Sequence, residues 1–186
     1  MLHTGITADA TGLHWAAGWD LTMNDEQLLR YSRQLMLGRF DVKGQEKLLA
    51  SKVLILGLGG LGCPAAMYLA AAGVGHLTLV DHDTVDLSNL QRQIAHTTAS
   101  IGRFKVESAR DTLLALNPWV VVETLARKVE GEELAALVKR HDAVLDCTDN
   151  FAIRFALNAA CMAARVPLVS AAAIRLERSE EHTSEL

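Results

Sequence analysis

No run of about 20 consecutive apolar residues occurs in this 186-residue chain, so the sequence offers no bilayer-spanning helix. The amino terminus also lacks the basic-then-apolar order of a secretory signal, and the expected location is the cytoplasm. No stripe of five or more basic residues appears. With 18 Lys and Arg against 22 Asp and Glu, the net charge of -4 argues against a general nucleic-acid binder. Cysteine is scarce too: Cys63, Cys147 and Cys161 form no CxxC pair, and reduced thiols filling core positions are expected rather than disulfides. Aromatic residues make up only 5% of a chain that is 50% hydrophobic, as expected of one α/β domain with a well-covered parallel sheet.

What is present is organised by alternating periods. Residues 1–22 show no steady period and are expected to be a flexible extension or the product of a start assigned too early, with Met23 the better beginning. A helix is predicted from Asn24, with Gln27 completing a capping box and Leu28, Leu29, Leu35 and Met36 on one face. Tyr31, Ser32 and Arg33 fall beside or opposite that stripe. A second short helix is predicted around Lys43 to Ala50. Strands are predicted at Lys52–Leu56, Leu77–Val80, Val120–Leu125, Ala143–Asp146 and Leu168–Ala172, and helices at Leu61–Ala72, Gly102–Leu116, Gly131–Lys139 and Asn150–Ala164. The repeated βα alternation predicts a doubly wound, mostly parallel Rossmann-like sheet, preceded by the helical extension and incomplete at its carboxyl end. The domain is expected to span residues 23–177. Residues 178–186 lack either period and read as a foreign tail, so the last strand is expected to leave an apolar edge.

Residues 57–62 read GLGGLG between a strand and a helix. Glycines there let the backbone approach a phosphate and aim N–H groups at it from the positive end of a helix; the alternative is a tight structural turn. Asp81 closes the following strand, where a carboxylate can accept both ribose hydroxyls; a solvated strand end is the alternative. A polar loop of roughly twenty residues follows, which demands a reason. Within it Arg92, and beyond it Lys105, supply cations that a dinucleotide site does not need but that displacement of pyrophosphate from ATP does. Each could instead be an ordinary solvated base. Asn89, Gln91 and Gln93 add neutral donors. Asp149 lies past a strand end, where a magnesium-binding carboxylate would sit, while Asp146 could tie down a loop and Asn150 could cap the next helix. His76, His82, His96 and His141 lack metal-ligand spacing and read as surface or turn residues, and Cys63 as an inert buried thiol.

Taken together, LLRYSRQ (28–34), GLGGLGCP (57–64), LVD (79–81), LSNLQRQ (87–93), KVESA (105–109), LNP (116–118) and LDCTDN (145–150) resemble the MoeB/ThiF/HesA family, bacterial relatives of ubiquitin-activating enzymes. The resemblance covers Asp25 to about Glu177. It implies an ATP- and magnesium-dependent adenylyltransferase that activates the C-terminal glycine carboxylate of a ubiquitin-like sulfur carrier, MoaD-like or ThiS-like, with release of pyrophosphate. The branch serving molybdenum cofactor biosynthesis is the leading expectation, with the thiamine-pathway branch beside it. An NAD-dependent oxidoreductase and an inactive nucleotide-binding fragment are the alternatives.

By resemblance Gly57, Gly59, Gly60, Gly62, Asp81, Ser88, Asn89, Leu90, Gln91, Arg92, Lys105, Asp149 and Asn150 hold the nucleotide. Arg92, Lys105 and Asp149 are catalytic, Asp149 also engaging magnesium. Arg33 would reach the site of a second subunit in a homodimer. Two departures stand out. Gly102-Arg103-Phe104-Lys105 lacks the proline common before the phosphate lysine, and the paired CxxC zinc ligands of longer family members are absent, so zinc is not expected here.

Overall fold

A computed structural model describes residues 6–9, 12–15, 23–174 and 177–183. The expectations for residues 1–22 and 178–186 lie partly outside the described residues. Of those within, β1 (Ile6–Asp9) and β2 (Gly12–Trp15) pair antiparallel.

The predicted capping box is present at the start of α1 (Asp25–Arg30): the Gln27 N–H donates to Asn24 Oδ1 at 2.9 Å and the Asn24 N–H to Gln27 Oε1 at 3.0 Å. The helix then breaks at Tyr31 before α2 (Ser32–Leu35), which changes the buried face. Leu29 and Met36, expected inside, are exposed, whereas Tyr31, expected outside, is 1% exposed. The reason is a polar anchor: Asn117 Nδ2 donates to the Tyr31 hydroxyl at 2.8 Å and to the Ala70 carbonyl at 2.7 Å. A buried tyrosine is stable where its hydroxyl finds such a partner.

Next come α3 (Asp41–Ala50), β3 (Lys52–Leu56), α4 (Gly62–Ala72), β4 (His76–Val80), α5 (Lys105–Leu116), β5 (Val121–Leu125), α6 (Gly131–Val138), β6 (Ala143–Asp146), α7 (Phe151–Ala164), β7 (Leu168–Ile174) and β8 (Glu177–Thr183). The main sheet runs β5-β4-β3-β6-β7-β8, parallel except for the antiparallel β7–β8 pair. Strand alternation sends Val53, Ile55, Leu77 and Leu79 to one face, against Cys63, Ala66 and Ala70 of α4 and Val106, Ala109 and Leu113 of α5. Leu54, Leu56, Val80 and Val144 go to the other, against Leu134, Leu137 and Val138 of α6 and Leu157 and Cys161 of α7. Both faces are covered, so the strands are near-continuous apolar runs.

The edge expected to be bare is paired: β8 runs along β7 from Leu168 opposite Thr183 to Ile174 opposite Glu177. Backbone pairing needs no apolar side-chain period, and charged residues suit an edge strand. The helix expected from Gly102 starts at Lys105, because Gly102 (φ 86) and Phe104 (φ -59, ψ 137) lie outside helical geometry. Among the described residues no helix is long and apolar enough to cross a membrane.

Two histidines expected at the surface are buried. His141 donates from Nδ1 to the Leu137 carbonyl at 2.7 Å and accepts at Nε2 from the Thr78 hydroxyl at 2.8 Å; His96 lies beneath the glycine turn. Burial holds both imidazoles below the usual histidine range. At acid pH the unfolded chain therefore binds more protons than the folded one. Stability from these residues is complete above about pH 6.5 and is lost as pH falls below it toward the folded values. The melting temperature is expected to drop from about pH 7.5 to about pH 5.5, with a flatter profile in His141→Gln. An unchanged profile in that variant would show that His141 does not titrate in this range.

Candidate active site

Sheet order reverses between β3 and β6, and the loops leaving their carboxyl ends part there, as in other doubly wound sheets. A cleft of about 1590 Å³ opens at this point. The Gly57 N–H donates to the Val80 carbonyl at 2.9 Å and the Cys147 N–H to the Leu56 carbonyl at 2.9 Å, so the glycine turn and the 147–150 loop continue the ladder before diverging.

The four glycines divide into two kinds. Gly57 has φ 87, and a Cβ on it would stand 2.7 Å from the Cys147 carbonyl oxygen; one on Gly62 would stand 1.8 Å from the Gly57 carbonyl oxygen. These two let β3, the turn and α4 pack. Gly59 and Gly60 line the cleft, as Gly57 also does, with nothing closer to their own missing Cβ atoms than Gln93 Nε2 at 3.9 Å and the Arg92 stem at 3.6 Å. Gly62, predicted to hold nucleotide, does not line the cleft.

Asp81 lines the cleft at the end of β4 and also braces the turn: Oδ2 accepts from the Leu58 N–H at 2.7 Å and Oδ1 from the Asp83 N–H at 2.8 Å. Each oxygen keeps a second lone pair for a ligand. Lys105 is 6% exposed, yet it lines the cleft, and its Nζ donates to Asp83 Oδ2 at 2.8 Å. That hydrogen bond, offset in part by desolvation, holds the Asp83 carboxyl below its usual range. An isolated antiparallel bridge between Thr84 and Phe104, with the Lys105 N–H on the Asp83 carbonyl at 2.9 Å and the Val85 N–H on the Arg103 carbonyl at 2.9 Å, sets the lysine in place. Phe104 already has the φ that proline would impose, so the missing proline is matched in conformation by this bridge.

Arg92 and Asn89 line the same cleft. Arg92 donates one Nη1 bond to the Ser88 carbonyl at 3.1 Å, leaving most of its fork to the cleft. Asn89 accepts at Oδ1 from the Asp86 N–H at 3.3 Å, which leaves its Nδ2 as a donor. Ser88, Leu90 and Gln91 do not line the cleft; Ser88 and Gln91 bond to each other, Gln91 Nε2 to the Ser88 carbonyl at 3.3 Å, within the turn that presents Arg92. Gln93 does line it, with a buried Oε1 that has no partner among the described residues. Asp149 also lines the cleft, is exposed and makes no hydrogen bond or ion pair among the described residues, which suits a carboxylate that takes a divalent cation. The alternative acidic group, Asp81, His82 and Asp83, is already engaged by backbone N–H groups and Lys105. Asn150 lines the cleft while capping α7, its Oδ1 accepting from the Ala152 N–H at 2.9 Å. Arg33 is exposed on α2, outside this chain's cleft.

Local sequence reading missed several contributors. Asp83, which holds Lys105, looks like any loop acid, because its partner lies 22 residues away. Asp146 ties down its loop as expected, buried and accepting from the Thr148 hydroxyl at 2.7 Å and the Ser170 hydroxyl at 2.9 Å, but Arg154, which donates to the Thr148 carbonyl at 2.8 Å and helps shape the loop that carries Asp149, was not foreseen. Arg127, Lys128 and Glu130 reach the rim from the β5–α6 loop. Cys63 and Cys147 are pushed by burial up to about 11 and about 12, which makes them inert thiols.

The chain is 59% identical over 155 residues to the molybdopterin-synthase adenylyltransferase of Escherichia coli, a match covering 83% of this chain and 62% of that protein. It is 53% identical over 152 residues to the sulfur carrier protein ThiS adenylyltransferase of Escherichia coli, covering 82% of this chain and 61% of the other. It thus spans about three-fifths of the length of these curated relatives. Among solved structures, PaaA superposes with a TM-score of 0.78 at 30% identity, over 90% of this chain and 54% of its own. The Escherichia coli tRNA N6-threonylcarbamoyladenosine dehydratase TcdA in complex with ATP superposes with a TM-score of 0.75 at 27% identity, over 80% and 61%. The glycine turn, the cationic wall and the DCTDN loop all lie within residues 31–178, the stretch matched by the model of the ThiF family, and the chain belongs to that family.

Proposed function

We infer that this chain is the nucleotide-binding part of an ATP-dependent adenylyltransferase that activates the C-terminal carboxylate of a ubiquitin-like sulfur carrier. The observation that carries the reading is that Arg92, Asn89, Lys105 and Asp149 line the same cleft as Gly59 and Gly60. The names of the two Escherichia coli relatives support it, and so does the ATP complex of a structural neighbour.

The reaction is in-line attack by a carrier carboxylate oxygen on the α-phosphorus of ATP. A new P–O bond forms, the α–β bridging P–O bond breaks, and pyrophosphate leaves with its electron pair. Both reactants are anionic, so alignment and charge neutralisation supply most of the rate. The Gly59 and Gly60 backbone and Asn89 hold phosphate oxygens, Arg92 and Lys105 take up charge that grows on them, and Asp81 accepts from the ribose. Asp149 would hold a magnesium ion, which when bound neutralises phosphate charge. In the homodimer proposed here, Arg33 of a second copy completes the wall. A dinucleotide dehydrogenase would use the turn and Asp81 but gives Arg92 and Lys105 no task.

Titration of the purified chain is expected to show binding of ATP with magnesium and none of NADH. With a purified MoaD-like or ThiS-like carrier, a version extended to the length of the relatives is expected to add one AMP to the carrier C-terminus, and the preferred carrier identifies the branch. Tight NADH binding with no response to ATP would overturn the reading. ATP binding by both versions without AMP transfer to either carrier would leave a nucleotide-binding module.

A further inference from the structure

His96 is 5% exposed and does not line the cleft, yet it touches both elements that build the cleft wall. Its Nε2 lies 3.4 Å from the Leu58 carbonyl oxygen and 3.6 Å from Cys63 Sγ, and its Nδ1 lies 3.0 Å from Ser108 Oγ. A carbonyl can only accept, so the ring proton resides on Nε2, and Nδ1 accepts from the Ser108 hydroxyl.

Leu58 sits between Gly57 and Gly59. Its N–H is fixed by Asp81 Oδ2 at 2.7 Å, and its carbonyl by His96 and by the Cys63 thiol at 3.2 Å. In a trans peptide the carbonyl of Leu58 and the N–H of Gly59 point in opposite directions. Holding the carbonyl inward against His96 therefore turns the Gly59 N–H outward, toward the cleft. Ser108 stands three residues beyond Lys105 on the same helix face, so the other ring nitrogen grips the helix that carries the lysine.

The geometry points to His96 as a positioning residue that orients the Gly59 N–H through Leu58 and, through Ser108, sets the glycine turn in register with Lys105. This rests on the nucleotide reading given above. The charged groups around the ring are Lys105 and Asp81; Cys63 is a neutral thiol at ordinary pH. Burial first, and the Lys105 charge with it, keep the imidazole neutral, which preserves the tautomer the arrangement requires.

The test is ATP affinity measured by calorimetry with magnesium present, beside thermal melting, for wild type, His96→Leu, His96→Gln and Ser108→Ala. His96→Leu is expected to weaken ATP binding about tenfold, and His96→Gln, which keeps an N–H for Leu58, by no more than about threefold. Ser108→Ala, a mild change that frees Nδ1, is expected to weaken binding by about threefold and carries the test if His96→Leu does not fold. Wild-type affinity in both His96→Leu and Ser108→Ala, or equal losses in His96→Leu and His96→Gln, would overturn the inference while leaving the nucleotide reading intact. No ATP binding by the wild-type chain would overturn both.

Discussion

Arg92→Ala is expected to lower carrier-dependent ATP–pyrophosphate exchange by about 100- to 1000-fold, the usual loss for one group that meets charge developing in the transition state. The melting temperature is expected to stay within experimental error. Arg92 is exposed and gives up only one bond to the Ser88 carbonyl, while its aliphatic stem rests over Gly60 without being buried. Lys105→Ala would be a poorer test. That lysine is buried on Asp83, and its removal would disturb the packing of that acid as well as the contact with phosphate. The decisive measurement is exchange in an extended version of the chain with and without the substitution, each checked for melting. Near-normal exchange in Arg92→Ala would remove the cationic wall from the mechanism.

Alanine at the glycines should separate packing from binding. In Gly62→Ala the new Cβ would stand 1.8 Å from the Gly57 carbonyl oxygen, and no rotamer change can relieve a backbone clash. The turn or the first residue of α4 must move, and a loss of about 3 kcal/mol or more in unfolding free energy is expected, together with loss of ATP binding. Gly59→Ala meets nothing closer than 3.9 Å, so its melting curve should match wild type. Its methyl would nevertheless stand where a phosphate approaches the backbone, and ATP affinity should fall by about tenfold or more. Denaturant unfolding and ATP titration of the two variants decide the matter. Equal stability of the pair would contradict the packing role of Gly62, and unchanged ATP affinity in Gly59→Ala would contradict the phosphate cradle.

The sheet was legible because burial on both faces writes β3 and β4 as apolar runs, and the glycine turn and Asn117-Pro118 mark where elements end. The site was legible to the extent that its groups sit at strand ends: Gly57, Asp81 and Asp149 line the cleft at positions that the βα order alone assigns. Where a role depends on a partner remote in sequence, the reading failed. Tyr31 was placed outside because its partner Asn117 lies 86 residues away, and His96 was placed at the surface because Leu58 and Cys63 lie 38 and 33 residues away.

The sequence by itself determined the order of strands and helices, the glycine turn and the family, since these follow from local periodicity, glycine spacing and motif identity. Only the tertiary structure decided which glycines have no room for a side chain, that Asp83 holds Lys105, and that His96 is buried behind the turn against the Leu58 carbonyl. Those facts are distances between segments far apart along the chain, and a linear pattern carries no distance until the sheet has brought its strand ends together.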